Sequence, residues 1–551
     1  MIKPILLTFL LLSYASLSKA QNKAGTENDI VLTYDEQKTR VFINDKGLLQ
    51  ASLSPKDVAK FKAAGVVNYN DLGAKGDGKT DDINVIAATH AFANTHGLKV
   101  SATPGTAYYI SGKKRTAVIQ TDTDFGTANF IFDDTDVENR SAAIFMVGSS
   151  QKPVKLTAIT SLKRGQPKID TPLPGPCLIS VTNSNVKQYI RFGLNQNSGS
   201  SQTDIFVADK NGNIDMQSPI IWDFEQITDI TALPIDEGLL KITGGNFTTI
   251  ANKEESKYNY YSRGFAVRRS HVLIEGLRHN IIGEGDHGAP YGGFINVGEC
   301  AYVTVKNTTL TGHRTYGTIG AAGEPVKMGT YDLSINRALN VSFINCSQTN
   351  SIDDNRYWGI IGSNFCKNLV YDSCTLSRFD AHQGVANATI RNSNLGHMGI
   401  NAIGSGLLKI ENSTVRGRSF VNLRPDYGST WQGEVLITNC VFIPAGGKSV
   451  SASLISGSNS GEHDFGYICY MPAQITIEKL RIDDSAHPEN YNGPAIFGNF
   501  NPKMKDDGYQ QKFPYVITNK VILKDVTTTS GKALRISDNK FMFKDVKVEV
   551  N

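Results

Sequence analysis

The sequence predicts an all-β fold: a single-stranded parallel β-helix, fronted by one capping helix and interrupted by an inserted β region. Three observations predict it. From about residue 270 a short alternation of apolar residues, closed by Asn or a small residue and then by Ser, Thr or Cys, keeps returning. It reads "VTVKNTTL", "VSFINCSQ", "LVYDSCTL", "ATIRNSNL", "LKIENSTV" and "VLITNCVF", and period-2 alternation with a turn residue at such intervals marks a β-solenoid. Ahead of it stands one helical pattern, "INVIAATHAFANTHG". The composition, with 51 Gly and 20% charged residues, suits a turn-rich β protein.

The elements follow in order. Residues 1–20, "MIKPILLTFLLLSYASLSKA", join Lys3 to an apolar run too short to span a bilayer and end in small residues, the pattern of a secretory signal. A secreted or periplasmic protein is expected, with no membrane insertion. Residues 21–65 form an N-terminal extension. In 66–112, Thr80 is expected to cap a helix whose first turn carries Asp81 and Asp82, with Ile83, Ile86, Ala87 and Ala91 on one face,. Such a helix covers the open apolar end of the first rung. Residues 113–240 break the pattern with runs split by Asn, Gly and Asp, and "DKNGNID" suggests a hairpin,; an inserted β region is expected there.

Residues 241–551 carry the rungs. Asn307, Asn345, Ser373, Asn392, Asn412 and Asn439 are the turn anchors, expected to ladder from rung to rung,. The residues after them, Thr308, Cys346, Cys374, Ser393, Ser413 and Cys440, should stack as small side chains, which explains three of the seven cysteines without disulfides or metal,. The formal charge of +4 includes Lys3 and Lys19, so the rest is nearly neutral and argues for no nucleic-acid partner.

The stretch "DLGAKGDGKTDD", then a helix, then "TPGTAYYIS", resembles the leading segment of right-handed parallel β-helix proteins of the pectate lyase superfamily. That group includes polysaccharide lyases, polygalacturonase-type hydrolases and phage tailspikes. The resemblance covers about residues 66–112 and implies a fold and a carbohydrate ligand without choosing among chemistries.

A site is sought where neighbouring rungs gather polar side chains on one outward face. After the anchors come "GHRTYGTIG", "DDNRYWGIIG", "RFDAHQGVAN", "LGHMGINAIG" and "RGRSFVNLRPDYG". Registered on Gly317, Gly359, Gly384, Asn401 and Asn422, they place His313, Asn355, Asp380, His397 and Arg418 in one column and Tyr357 and His382 in the next. A one-residue slip would reverse the face. Asp380 two residues from His382, with Arg378 beyond it, suits an oriented, tuned imidazole base.

The resemblance implies a carbohydrate. On the candidate residues β-elimination is the first expected reaction, and that lyase reading with the Arg- and His-rich face makes an acidic polysaccharide the expected partner, chondroitin or dermatan sulfate first, then pectin or alginate. Elimination needs a base, an acid and groups that neutralise the substrate carboxylate. His382 is the expected base and Tyr357 the acid, with His397 and Asp380 beside them. Arg356 or Arg424, with Asn355, Asn401 or Asn422, is expected on the carboxylate. His313, Arg378, Arg418, Tyr427 and Trp358 complete the binding set. Hydrolysis by Asp353, Asp354 or Asp380 is the runner-up; "GHMGINAIGS" resembles the polygalacturonase Gly-His-Gly segment, but Met398 interrupts it. A non-catalytic glycan-binding β-helix is the third reading. No cofactor is expected, Ca2+ being the alternative, and the chain is expected to act as a monomer or small homo-oligomer.

Overall fold

The computed structural model describes residues 30–191, 199–320, 323–444 and 451–551; the signal expected over 1–20 lies outside them. The chain forms a right-handed, single-stranded parallel β-helix. One row shows how the sequence builds it. Leu240, Val272, Val303, Val341, Leu369, Ala388, Leu408, Val435, Ile475, Val521 and Val548 are successive Cα partners on parallel strands. Each is apolar because alternate residues of every strand face the solenoid interior.

The turn beside this row follows the expected anchors. Asn307, Asn345, Ser373, Asn392, Asn412 and Asn439 all adopt left-handed backbone, φ 49–58°, which Asn tolerates at least cost among residues with side chains. Their amides ladder: Asn345 Nδ2 donates to Asn307 Oδ1 (2.8 Å) and Asn439 Nδ2 to Asn412 Oδ1 (2.8 Å). In the next row the Ser393 and Ser413 hydroxyls accept the Cys374 and Ser393 amides (3.0 and 3.1 Å). All seven cysteines are free and buried.

The capping helix α2 (Ile83–His96) begins after the expected point. Thr80 lies in the strand Asp77–Asp81 and caps nothing. Asp82 is the N-cap residue by position only; its carboxylate accepts the Lys75 and Gly76 amides instead (2.7 and 3.0 Å). Ile83, Ile86 and Ala87 are buried as expected, whereas Ala91 is only half-buried. The extension explains why burial runs further round the helix. Its three-stranded sheet (Ile30–Thr33, Arg40–Ile43, Leu49–Ser52) and helix α1 (Pro55–Ala64) add a second layer, with Phe61 against Phe92. Ser54 caps α1 by accepting the Asp57 amide (3.1 Å), and Gly65 ends it in left-handed backbone,.

The break over 113–240 is narrower in space than in sequence. Ala117–Ile119, Thr123–Asp133 and Phe145–Gly148 pair as rungs. The separate antiparallel sheet comprises Val154–Lys155, Cys177–Gln188, Ser200–Ala208 and Asp229–Pro234. Its alternation serves two cores. Ile179, Val181 and Phe206 close its own interior, while Leu178, Ile205 and Val207 pack on Ala301 and Leu339 of the rungs. The buried Lys367–Asp204 ion pair (2.8 Å) reinforces this docking. Among the described residues no helix is long and apolar enough to cross a membrane.

Candidate functional site

Two β-bulges aim the candidate histidines. Ser363 pairs with Ala381 and Asn364 with Gln383, so His382 is the extra, unpaired residue. Leu376 and Arg378 face Leu395 and Gly399, which leaves Gly396, His397 and Met398 unpaired. Such bulges re-aim side chains. They also break the expected register. Asp380, rather than Gly384, sits opposite Asn401, an offset of four residues, whereas the Asn401–Asn422 pairing holds. Residues 312–320 and 323–360 depart further: Gly317 lies in a small hairpin and Gly359 in no strand.

Around His382 the chain builds a network of alternating charge. Arg378 (2% exposed) and Asp380 (0%) pair at 2.7 Å. Arg424 reaches Asp380 from the other side (2.9 Å) and grips Asp426 through Nε and Nη2 (3.2 and 3.0 Å). Arg191, at the end of the inserted sheet, approaches Asp426 at 3.4 Å. Arg378 lies against the Trp358 ring, 5.4 Å from its centroid. A Cβ at Gly359 would come within 2.3 Å of the Arg378 side chain, so glycine makes room for it. Three cations against two anions leave a net positive charge, with half-exposed Arg191 as its outlet.

His382 is half-buried at the edge of this network. Its Nδ1–H donates to Asn364 Oδ1 (2.9 Å), leaving the Nε2 lone pair toward the Tyr427 hydroxyl (3.3 Å). Burial and the nearby Arg424 charge push the imidazole down to about 3. Burial, then Asp426, pushes the Tyr427 phenol up to about 12. Burial opposes the Arg424 charge, but Asp380 and Asp426 overcome it and raise that pKa further. Asp426 is held below the usual carboxylate range because Arg424 outweighs its burial. The pair is therefore a neutral base beside a neutral acid.

The expected residues thus divide. Arg378, Asp380, His382, Arg424, Tyr427 and Trp358 meet, and Asn401 and Asn422 lie on the rungs next to Asp380, hydrogen-bonded to each other (2.8 Å). Tyr357 does not join His382 in the contacts of the described residues. It bridges Arg314 across a loop, where exposed Arg356 pairs with Asp354 (2.6 Å) and Asn355 faces solvent. His397 donates from Nδ1 to the Ile352 carbonyl (3.0 Å), and Arg418 is exposed.

His313 belongs to a neighbouring buried cluster. It stacks on Tyr291 (4.6 Å), and Asp332 bridges His313 Nε2 (3.0 Å) and His279 Nδ1 (2.8 Å). Burial favours its neutral form, but hydrogen bonds to Asp332 and Glu284 overturn that and raise it to about 9. Beside it Arg263 and Asp134 pair at 2.7 Å, both buried. Arg263 and Tyr261, at the end of the segment "NKEESKYNYYSR", are both buried.

Sequence reasoning missed Asn364 and Arg191. Asn364 carried a signal, being one rung before His382; Arg191 carried none, since only docking of the inserted sheet brings it to Asp426. Among the described residues no group of three or more His, Cys, Asp and Glu side chains is arranged to hold a metal ion.

No family model and no curated protein matches the chain. Among solved structures it is similar to the tailspike gp61 of Pseudomonas phage phi297, with 13% identity over 88% of this chain and 84% of that one and a TM-score of 0.54. The tailspike protein gp49 of Pseudomonas phage LKA1 matches with 13% identity, the same 88% and 84% coverage and a TM-score of 0.52. At this identity the likeness is one of fold.

Proposed function

We propose that this parallel β-helix protein is an exported polysaccharide lyase that cleaves a uronate-containing glycan by β-elimination. The observation that carries the proposal is the bulge-borne His382, its Nδ1–H held by Asn364 and its Nε2 facing Tyr427. Nε2 takes the proton at C5, the C4–O bond breaks as the C4=C5 bond forms, and the Tyr427 hydroxyl protonates the leaving oxygen. The proton on Nε2 then returns to the Tyr427 oxygen, so the pair resets itself. The substrate carboxylate meets the net positive charge of Arg191 and Arg424 and the Asn401–Asn422 amides, which lowers the cost of the carbanion-like state. Its negative charge also raises the depressed His382 pKa, strengthening the base once substrate is bound. Tyr427 replaces Tyr357 as the acid, and buried Asp380 acts by holding Arg424. The sequence resemblance of residues 66–112 supports a carbohydrate substrate, and the leader-like residues 1–20 support export.

The hydrolytic reading is weaker because a general acid must hold a proton at neutral pH. Arg356 holds the Asp354 carboxyl down at about 2, and Asp380 is sealed between two guanidiniums. The test is ultraviolet absorbance with chondroitin sulfate, dermatan sulfate, hyaluronan, pectate and alginate in turn. A conjugated 4,5-unsaturated uronate should appear with at least one of them. His382→Ala and Tyr427→Phe should each reduce the rate about 10²–10⁴-fold with circular dichroism unchanged. New reducing ends without absorbance would replace elimination by hydrolysis.

A further inference from the structure

A cleft of about 200 Å³ separates the inserted sheet from the rungs. Its floor is the strand rows Val385, Gly404 and Ser405, Gln432. Gly404 is required there: its φ of +156° lies at the edge of the glycine region, and a Cβ would come within 1.9 Å of the Val385 carbonyl. One wall is the inserted β region, whose loops carry Trp222 and exposed Arg164; the other carries Tyr467 and Tyr470.

The lining has the chemistry of a sugar site. Trp222 and Tyr467 set half-buried rings 6.0 Å apart at 42°, two apolar faces that close on a flat ring from adjacent sides,. Polar groups at the rim can orient a ligand, as such groups do in ligand clefts. Arg164 Nη1 donates to Gln432 Oε1 (3.0 Å), which leaves other guanidinium hydrogens and the Gln432 amide hydrogens at the rim,. Gln432 and Ser405 are half-buried. The buried Lys367–Asp204 pair anchors the base and also binds the Pro219 carbonyl, so this wall is fixed to the rungs.

The cleft adjoins the proposed reaction centre. The Tyr189 ring lies 5.1 Å from Tyr467 and 6.1 Å from Tyr427, and the Tyr467 hydroxyl donates to the Tyr427 carbonyl (2.6 Å). Tyr189 reaches this position because residue 384 is glycine; a Cβ there would lie 2.0 Å from its hydroxyl.

We propose that this cleft is a glycan subsite that binds one sugar ring against the exposed faces of Trp222 and Tyr467 and reads an anionic substituent, carboxylate or sulfate, through Arg164. Its placement beside the reaction centre rests on the lyase reading; binding in the cleft does not. The inserted β region is then the specificity element, since its loops supply both Trp222 and Arg164.

The test uses full-length protein carrying His382→Ala, which removes turnover, and isothermal titration with hexasaccharides of chondroitin sulfate, hyaluronan, pectate and alginate, and with neutral maltohexaose. At least one acidic hexasaccharide should bind, maltohexaose more weakly. Arg164→Gln, a surface change, should weaken acidic binding about tenfold. Trp222→Ala should do the same and Trp222→Phe should largely restore it, which separates ring stacking from damage to the sheet. No acidic binding, or binding unchanged in both Arg164→Gln and Trp222→Ala, overturns the subsite. Equal affinity for maltohexaose overturns the anionic reading. Trp222-dependent binding by a protein with no elimination on any polymer would uphold the cleft and sink the lyase proposal. Elimination with unaltered binding in the variants would do the reverse.

Discussion

His382 sits among charges of both signs, and its chemistry is decided first by burial and then by the charge with the largest effect, Arg424. The free protein holds it neutral down to about pH 3, and Tyr427 stays protonated up to about 12. Because kcat/KM reports the free enzyme, its profile should be flat from about pH 5 to 10 with respect to this pair. An acid limb near the ordinary histidine value of about 6.5 would contradict the assignment. Removing the positive charge by Arg424→Gln should move the acid limb toward neutral pH, since Arg424 lowers the imidazole pKa. Asp380 contributes by a different route. It is wholly buried between Arg378 and Arg424, so Asp380→Asn leaves two guanidiniums without their carboxylate. It should cost about 3–5 kcal/mol in chemical denaturation, so lost activity in that variant measures unfolding and not a catalytic role.

At the scale of the strand, bulge and ladder do opposite jobs. The ladder keeps rungs in register through residues able to adopt left-handed backbone; the bulge breaks register to turn one side chain outward. Asn392 illustrates the first. It has φ +53°, donates to Asp372 Oδ1 (3.0 Å) and accepts from Asn412 Nδ2 (3.3 Å). Asn392→Ala should cost about 1–2 kcal/mol from strained backbone and lost hydrogen bonds. Asn392→Gly removes the same bonds but suits the backbone, so it should cost less. Urea unfolding midpoints check the order, with activity per folded molecule unchanged in both. Equal losses in the two variants would assign the whole effect to the hydrogen bonds. The rung pattern and its Asn anchors are legible in the sequence because each rung repeats one local demand. The bulges at His382 and His397 are not, since extra residues leave period-2 alternation readable while shifting every partner beyond them.

For the whole molecule, histidines of opposite tendency bracket the stable pH range. His90, buried against Tyr69, and His382 are both held down at about 3. The unfolded chain takes up these protons below about 6.5 and the folded chain does not, so stability is lost as pH falls from 6.5 toward 3. His313 is raised to about 9. Its contribution is fully present below about 6.5 and is lost as pH rises through 9. Thermal scans should therefore show Tm falling on both sides of about pH 6.5, on the alkaline side by a few degrees. His313→Gln should flatten the alkaline fall and leave the acid one. An alkaline fall unchanged in that variant would remove His313 as its cause.

The sequence by itself determined the solenoid, the turn ladder, the free-cysteine column and the presence of one capping helix, because each is a local pattern with its own period or turn chemistry. It also brought Arg378, Asp380 and His382 together, since they are neighbours on one strand. Only the tertiary structure decided which residues complete the site. Tyr427 rather than Tyr357 faces His382 because two bulges and a long loop displace the rungs. Arg191, Arg164 and Trp222 arrive from loops of the inserted β region, whose sheet docks through the buried Lys367–Asp204 pair and Leu178, Ile205 and Val207. Those contacts join residues far apart in the chain, and nothing in the local sequence of either partner specifies the other.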